Sequence, residues 1–153
     1  MTRRKIIAGN WKMHKTGAEA RAFTAAFVKD LGGFRGCDIV LCPPYTALAD
    51  TRAALADVDG IDIAAQNVHE AAQGAFTGEV SCGMLHALAV THCIIGRSER
   101  RQFFAETDGG VNRKLKALLA ASLTPIVCVG ESLEQRKAGV TQSFVCDQVS
   151  AAF

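Results

Sequence analysis

Residues 38–65, DIVLCPPYTALADTRAALADVDGIDIAA, decide how the chain is to be read. Asp38 to Cys42 is a short apolar run of β type, and Pro43-Pro44 ends it because proline cannot continue a ladder of hydrogen bonds. A helix over about 47–56 follows, with Leu48 and Leu55 two turns apart on one face. Ile61 to Ala65 is a second apolar run. Strand, helix, strand in that order makes a βα repeat, and such repeats build parallel sheets. Strands of a parallel sheet are covered on both faces, which is why these runs are almost continuously apolar instead of alternating.

The same alternation extends in both directions. Upstream, Lys5 to Gly9 reads as a strand, and Thr16 with Glu19 forms a capping box that starts a helix. Phe23, Ala26, Phe27 and Leu31 give that helix an apolar face, and Gly32-Gly33 stops it. Downstream, residues 66–80 are polar, glycine-containing and long for a βα connection, where about 2–6 residues is usual. Thr91 to Gly96 is the fourth strand, and Gly109-Gly110 is a turn signal. Val111, Leu115, Leu118 and Leu119 mark the inner face of the next helix. Pro125 to Val129 is the fifth strand, and Ser132 with Gln135 is a second capping box. Thr141 caps a last helix carrying Val145, Val149 and Phe153. The last residues stop inside a helical pattern, with no Gly, Asn or Pro to close it, so the sequence reads as an interruption. Architecture rules alone leave a closed barrel and an open doubly wound sheet equally open.

Composition excludes several classes. A formal net charge of +2, with basic residues spread out, argues against a nucleic-acid partner. No apolar run is long enough to span a bilayer, and Met1-Thr2-Arg3-Arg4-Lys5 leads into no secretory apolar core. The six cysteines contain no Cys-x-x-Cys pair and no zinc spacing, so they read as reduced, buried thiols in a cytoplasmic protein.

In parallel βα folds the chemistry lies at the C-terminal ends of the strands. There the chain offers Asn10, Trp11, Lys12, Met13 and His14 after strand one, and Gln66 and Asn67 after strand three. It offers Arg97, Ser98, Glu99, Arg100 and Arg101 after strand four, and Glu131 after strand five. Lys12 suits a small anion as a point charge, and Asn10 can donate a hydrogen bond. Lys12, Arg97 and Glu99 converge if strands one and four face a common interior. Arg101 reads as part of a surface ion-pair cluster. His14, His69, His86 and His92 are scattered and read as scaffold.

Four segments, in order, resemble the triosephosphate isomerase family: Ala8 to Met13; Gln66 to His69 with Gly74 to Glu79; Ile95 to Arg101; and Cys128 to Glu131. The resemblance runs from about residue 4 to the last residue and implies an α/β fold of parallel βα units of a TIM barrel. The barrel is incomplete at about five of eight units, since a closed one takes about 250 residues. Residues 1–153 then form a single partial TIM-barrel domain without units six to eight. Strands one and five become open edges, which expose apolar side chains and favour association.

The resemblance also implies roles. Lys12 resembles the substrate-binding lysine, Asn10 its supporting amide, and Glu99 the carboxylate that contacts that lysine. The loop 66–80, with Thr77, Gly78 and Glu79, resembles an arm that docks on a second subunit of a homodimer. The implied reaction interconverts dihydroxyacetone phosphate and glyceraldehyde 3-phosphate, as in glycolysis and gluconeogenesis, with no cofactor and no metal. Arg97 stands at the position of the family's catalytic histidine. There a neutral imidazole polarises the carbonyl while a glutamate moves the proton, an arrangement for which this family is itself the standard illustration. A guanidinium stays protonated and cannot copy that. No glutamate of this chain sits in the motif of the glutamate base. The expectation is therefore an inactive or severely impaired chain. The alternatives are a non-enzymatic half barrel that binds anions or self-associates, and one half of a split enzyme completed by a chain supplying the missing βα units.

Overall fold

A computed structural model describes residues 3–153. Five parallel strands follow one another in the order β1 (Ile6–Asn10), β2 (Asp38–Cys42), β3 (Ile61–Ala65), β4 (His92–Ile95) and β5 (Thr124–Val127). The order never reverses, so there is no topological switch point of the doubly wound kind. That settles the choice architecture rules left open: the fold is α/β, built of the parallel βα units of a TIM barrel, and carries five of them. β1 and β5 are the edges of this order, and on β1 Ile6 and Ile7 are exposed.

Between β3 and β4 lies a short helix, α3 (Cys82–Ala87), and the chain divides into two compact units. One holds residues up to Gln66 together with Gly83–Cys93; the other holds Asn67–Cys82 and Ile94–Phe153. In the first, β2 pairs with β1 from Ile6↔Asp38 to Asn10↔Cys42 and with β3 from Ile39↔Ile61 to Leu41↔Ile63. Val40 and Ile63 are fully buried in the core, as are Leu48 of α2 (Leu48–Ala54) and Leu55 just beyond it. The pair of leucines expected on one face is therefore the inner face of α2. Helix α1 (Gly17–Leu31) has the expected capping box, with Thr16 accepting from Glu19 N and Glu19 reaching back to Thr16 N at 2.7 Å. It ends at Gly32 in the left-handed conformation, φ +57°.

Its inner face differs from the expected one. Ala20 and Thr24 are buried, whereas Ala26 is exposed and Phe23 sits edge-on to Trp11 at 5.2 Å, partly in solvent. α1 packs on α2, and small residues allow that approach; a Cβ at Gly17 would already overlap the Asp50 carboxylate.

In the second unit α5 (Asp108–Ala120) packs on β5 and on α7 (Thr141–Ala152). Val111, Leu115 and Leu118 face inward as expected, but Leu119 is exposed and Lys114 takes the fourth inner place. Gly109-Gly110 is not a turn; both lie in the first turn of α5, where the Thr107 hydroxyl accepts from Gly110 N at 3.1 Å. The capping box at Ser132 and Gln135 opens α6 (Leu133–Lys137) as expected. Thr141 does not cap α7: Val140 holds the cap position, and the Thr141 hydroxyl lies 3.5 Å from Glu131 Oε1. Val149 and Phe153 are exposed while Gln148 and Ala152 are buried. Gln148 goes inward because its Oε1 accepts the Gly130 N–H at 2.8 Å, just past β5. The cysteines are all free thiols, but not all buried: Cys42, Cys82 and Cys93 are, Cys37 and Cys128 are half-buried, and Cys146 is exposed.

Candidate functional site

The first unit carries the Lys12 cluster. Asn10 is the last residue of β1, not the first beyond it, and its Oδ1 accepts the Lys12 N–H at 2.9 Å. Lys12 has φ +53°, in the left-handed region that side chains other than glycine's seldom occupy. Its carbonyl accepts from Gln66 Nε2 at 2.9 Å, and the same nitrogen donates to Cys42 O at 2.8 Å. Cys42 O also accepts from Trp11 N at 3.1 Å, so the ends of β1, β2 and β3 are laced through one carbonyl and one amide. Met13 and His14 are exposed, and the Lys15 ammonium lies 4.6 Å from the centroid of the Phe23 ring.

The second unit carries the Arg97 cluster. Arg97 follows β4 and precedes α4 (Ser98–Phe103), a helix where the sequence shows only a run of polar residues. Its guanidinium pairs with Glu99, Nε to Oε2 at 3.3 Å and Nη2 to Oε1 at 3.5 Å. The Ser98 hydroxyl donates to the same carboxylate at 3.3 Å. Burial disfavours the charge on Arg97, yet Glu99 and the Cys128 side chain outweigh it and hold the guanidinium above its ordinary value. Arg97 therefore remains a cation throughout the physiological range. A cavity of about 210 Å³ opens here, lined by residues 96–98, Arg101 and residues 128–131. Glu131, on its wall, is engaged by Arg136 at 2.8 Å.

Behind the cavity lies a buried ionic cluster that sequence reasoning missed. The Glu106 carboxylate, 3% exposed, is met by the Lys114 ammonium, by Arg100 Nε at 3.7 Å and by the Gly96 N–H at 3.2 Å. Lys114 also donates to Asn67 Oδ1 at 2.8 Å. Arg101 is in an ion pair as expected, with Asp108 through its Nη1, but it is half-buried and its Nε also donates to Gly96 O at 2.8 Å. The Gly96 peptide is thus held by a carboxylate on one side and a guanidinium on the other. Gly96 has φ +75°, and a Cβ there would stand 2.7 Å from Cys128 O. The available signal was Lys114 itself, a charge set within the apolar stripe Val111, Leu115, Leu118.

The loop tip Thr77, Gly78 and Glu79 is exposed, and His69 N donates to Val80 O at 2.8 Å to close the base of that loop. His69 is scaffold: its ring lies against Phe76 at 4.1 Å and its Nδ1 accepts from Ala71 N at 3.1 Å. His92 Nδ1 lies 2.7 Å from the Thr91 hydroxyl. Among the described residues no group of three or more His, Cys, Asp and Glu side chains is arranged to hold a metal ion, and no helix is long and apolar enough to cross a membrane.

The sequence profile of the family described as triosephosphate isomerase matches residues 5–153. The triosephosphate isomerase of Chloroflexus aurantiacus is 51% identical over 147 residues, covering 96% of this chain and 58% of that one. That of Clostridium botulinum is 48% identical over 147 residues, with the same two coverages, 96% and 58%. The crystal structure of triosephosphate isomerase from Bartonella henselae superposes with a TM-score of 0.88 at 34% identity, over 98% of this chain and 62% of that one. The chain thus spans about 58% of the length of the curated relatives it matches.

Proposed function

The chain belongs to the triosephosphate isomerase family, and from that premise we propose that its strand-end clusters recognise a small phosphorylated triose and descend from a site that interconverts dihydroxyacetone phosphate and glyceraldehyde 3-phosphate. Lys12 is the anion-binding ammonium and Asn10 its backbone support. Glu99 balances the added charge of Arg97. The exposed loop tip of Thr77, Gly78 and Glu79 is the contact of a homodimer, and the single TIM-type domain is completed by further βα units. The setting is cytoplasmic, and the chemistry as read calls for no cofactor and no metal.

One observation supports this reading: Arg97, which the resemblance puts at the family's histidine position, is paired to Glu99 at the rim of a cavity. A permanent cation there stabilises negative charge developing on a substrate oxygen. It cannot pass a proton back and forth, because it never gives one up near neutrality. The reading is therefore binding with little turnover. The same observation favours a second reading, an anion-binding protein with no isomerase chemistry at all.

A chimera separates the two. Residues 1–153 are joined to the remaining βα units of the Chloroflexus aurantiacus relative, and isomerisation is followed in a coupled assay. With Arg97 kept, turnover is slow. With Arg97→His it rises by about 10²–10⁴, the usual contribution of a positioned acid–base group. No turnover in a folded Arg97→His chimera rejects the isomerase reading and leaves the binding one.

A further inference from the structure

We propose that Gln66 is the positioning residue for Lys12: its side-chain amide holds the Lys12 peptide in the left-handed conformation and so aims the ammonium. This rests on the reading of Lys12 as an anion-binding group, and it concerns a residue to which that reading gives no part.

The argument begins with the backbone. Lys12 has φ +53°, where the Cβ of an L-residue crowds the neighbouring carbonyl. A lysine stays there only if its surroundings hold it. Two side chains grip its peptide groups. Asn10 Oδ1 takes the N–H at 2.9 Å, and Gln66 Nε2 supplies the carbonyl at 2.9 Å. The two differ in reach. Asn10 is two residues away on the strand that leads into the loop, whereas Gln66 lies 54 residues on, at the end of β3. Gln66 thus ties the Lys12 loop to a different strand by a side chain. Its second donated bond, to Cys42 O at 2.8 Å, fixes the amide against β2 as well.

Side-chain chemistry narrows what can do this. Two carbonyl oxygens must each receive an N–H from one atom. A primary amide nitrogen carries two N–H donors and no net charge. Ser and Thr offer one donor, and Glu offers none when ionised. Lys would supply donors but would place a second ammonium beside Lys12, weakening the site it is meant to build. Asn carries the right group on a stem one methylene shorter. Glutamine is therefore the side chain whose reach and donor count fit.

The test uses the whole chain, labelled with 13C and 15N, and compares it with Gln66→Met, which keeps the length and loses both donors. Three quantities are read. The amide–α-proton coupling and Cβ shift of Lys12 report its φ without any ligand. The shift of the Lys12 side chain on titration with inorganic phosphate reports binding. The thermal midpoint reports stability. The inference expects Lys12 to leave the left-handed region in Gln66→Met and its phosphate response to weaken at least fivefold. Phe34, before the opposite end of β2, should keep its shifts. Gln66→Glu, of the same shape but without donors, repeats the measurement should Gln66→Met not fold. If Lys12 keeps its left-handed signature and its phosphate response in either folded variant, the inference is overturned. If the signature is lost in the variant but even the unaltered chain ignores phosphate, Gln66 does position Lys12, and it is the anion-binding reading that falls.

Discussion

The two strand ends solve one problem, holding a cation at the mouth of a βα unit, with opposite means. At the end of β1, Lys12 is exposed, its backbone is left-handed, and the side chains bonded to its peptide groups are neutral: an asparagine oxygen and a glutamine nitrogen. At the end of β4, Arg97 follows a glycine whose peptide is clamped by charges, the Glu106 carboxylate on the N–H and the Arg101 guanidinium on the carbonyl. Neutral amides at a wet surface each contribute only about 0.5–1.5 kcal/mol. A buried carboxylate with several cationic partners is a different object, because removing one member strands the others away from water. Geometry at Lys12 is thus adjustable at small cost, and geometry at Arg97 is tied to the stability of the whole unit.

The largest effect should come from breaking the ionic side of that contrast. Glu106→Ala leaves Lys114, buried on α5, without its carboxylate, and should cost about 3–5 kcal/mol in a urea melt. A loss no greater than that of an exposed pair, below about 1 kcal/mol, would erase the distinction between the two ends.

Next comes Gly96→Ala. The new Cβ would need to sit 2.7 Å from Cys128 O on a backbone with φ +75°. A cost of about 1–3 kcal/mol follows from the strained conformation alone. The Arg97 side-chain resonances should shift with it, since the clamped peptide precedes that residue. Unchanged Arg97 resonances in a folded variant would show that the clamp does not steer the guanidinium.

The smallest effect lies in the Lys12 unit, at the start of α1. Hydrogen bonds from the Thr16 backbone and then from its hydroxyl hold the Glu19 carboxyl below its ordinary value of 4.5. A depressed carboxyl stabilises the fold above its unfolded value, and that contribution fades as pH falls through the lower, folded one. Protection of the first-turn amides of α1, corrected for intrinsic exchange, should therefore fall as pH drops below the ordinary 4.5, and Glu19→Gln should remove most of that dependence. A first turn indifferent to acid would mean that the cap is held by the Thr16 hydroxyl alone.

What the sequence could and could not convey follows the same line. β2 and β3 were legible to the residue because an apolar run ended by prolines, and another closed by a polar loop, are local signals. Both capping boxes were legible for the same reason. The inner faces of α1 and α7 were not. Hydrophobic spacing assumes that the largest apolar side chains point inward, whereas Ala20 and Thr24 are chosen by close packing and Gln148 by a hydrogen bond from beyond β5. The resemblance marked Lys12, Arg97 and Glu99. It said nothing of Glu106 and Lys114, whose importance exists only once residues 8 positions apart meet out of water. Gln66 was visible as a strand-end amide, but the two carbonyls it serves lie 24 and 54 residues away.

The unreversed strand order has a consequence for how the molecule comes into being. Every strand after β1 finds a hydrogen-bonding neighbour in the strand that precedes it. During synthesis, each of these strands emerges with a template already outside the ribosome. Each step still closes the loop of one whole βα unit, as from Ile6 to Asp38, and parallel pairings of that kind are intrinsically slow, so this topology sets the order of pairing and not its speed. The nascent chain can grow its sheet as a mason lays courses, one row resting on the last.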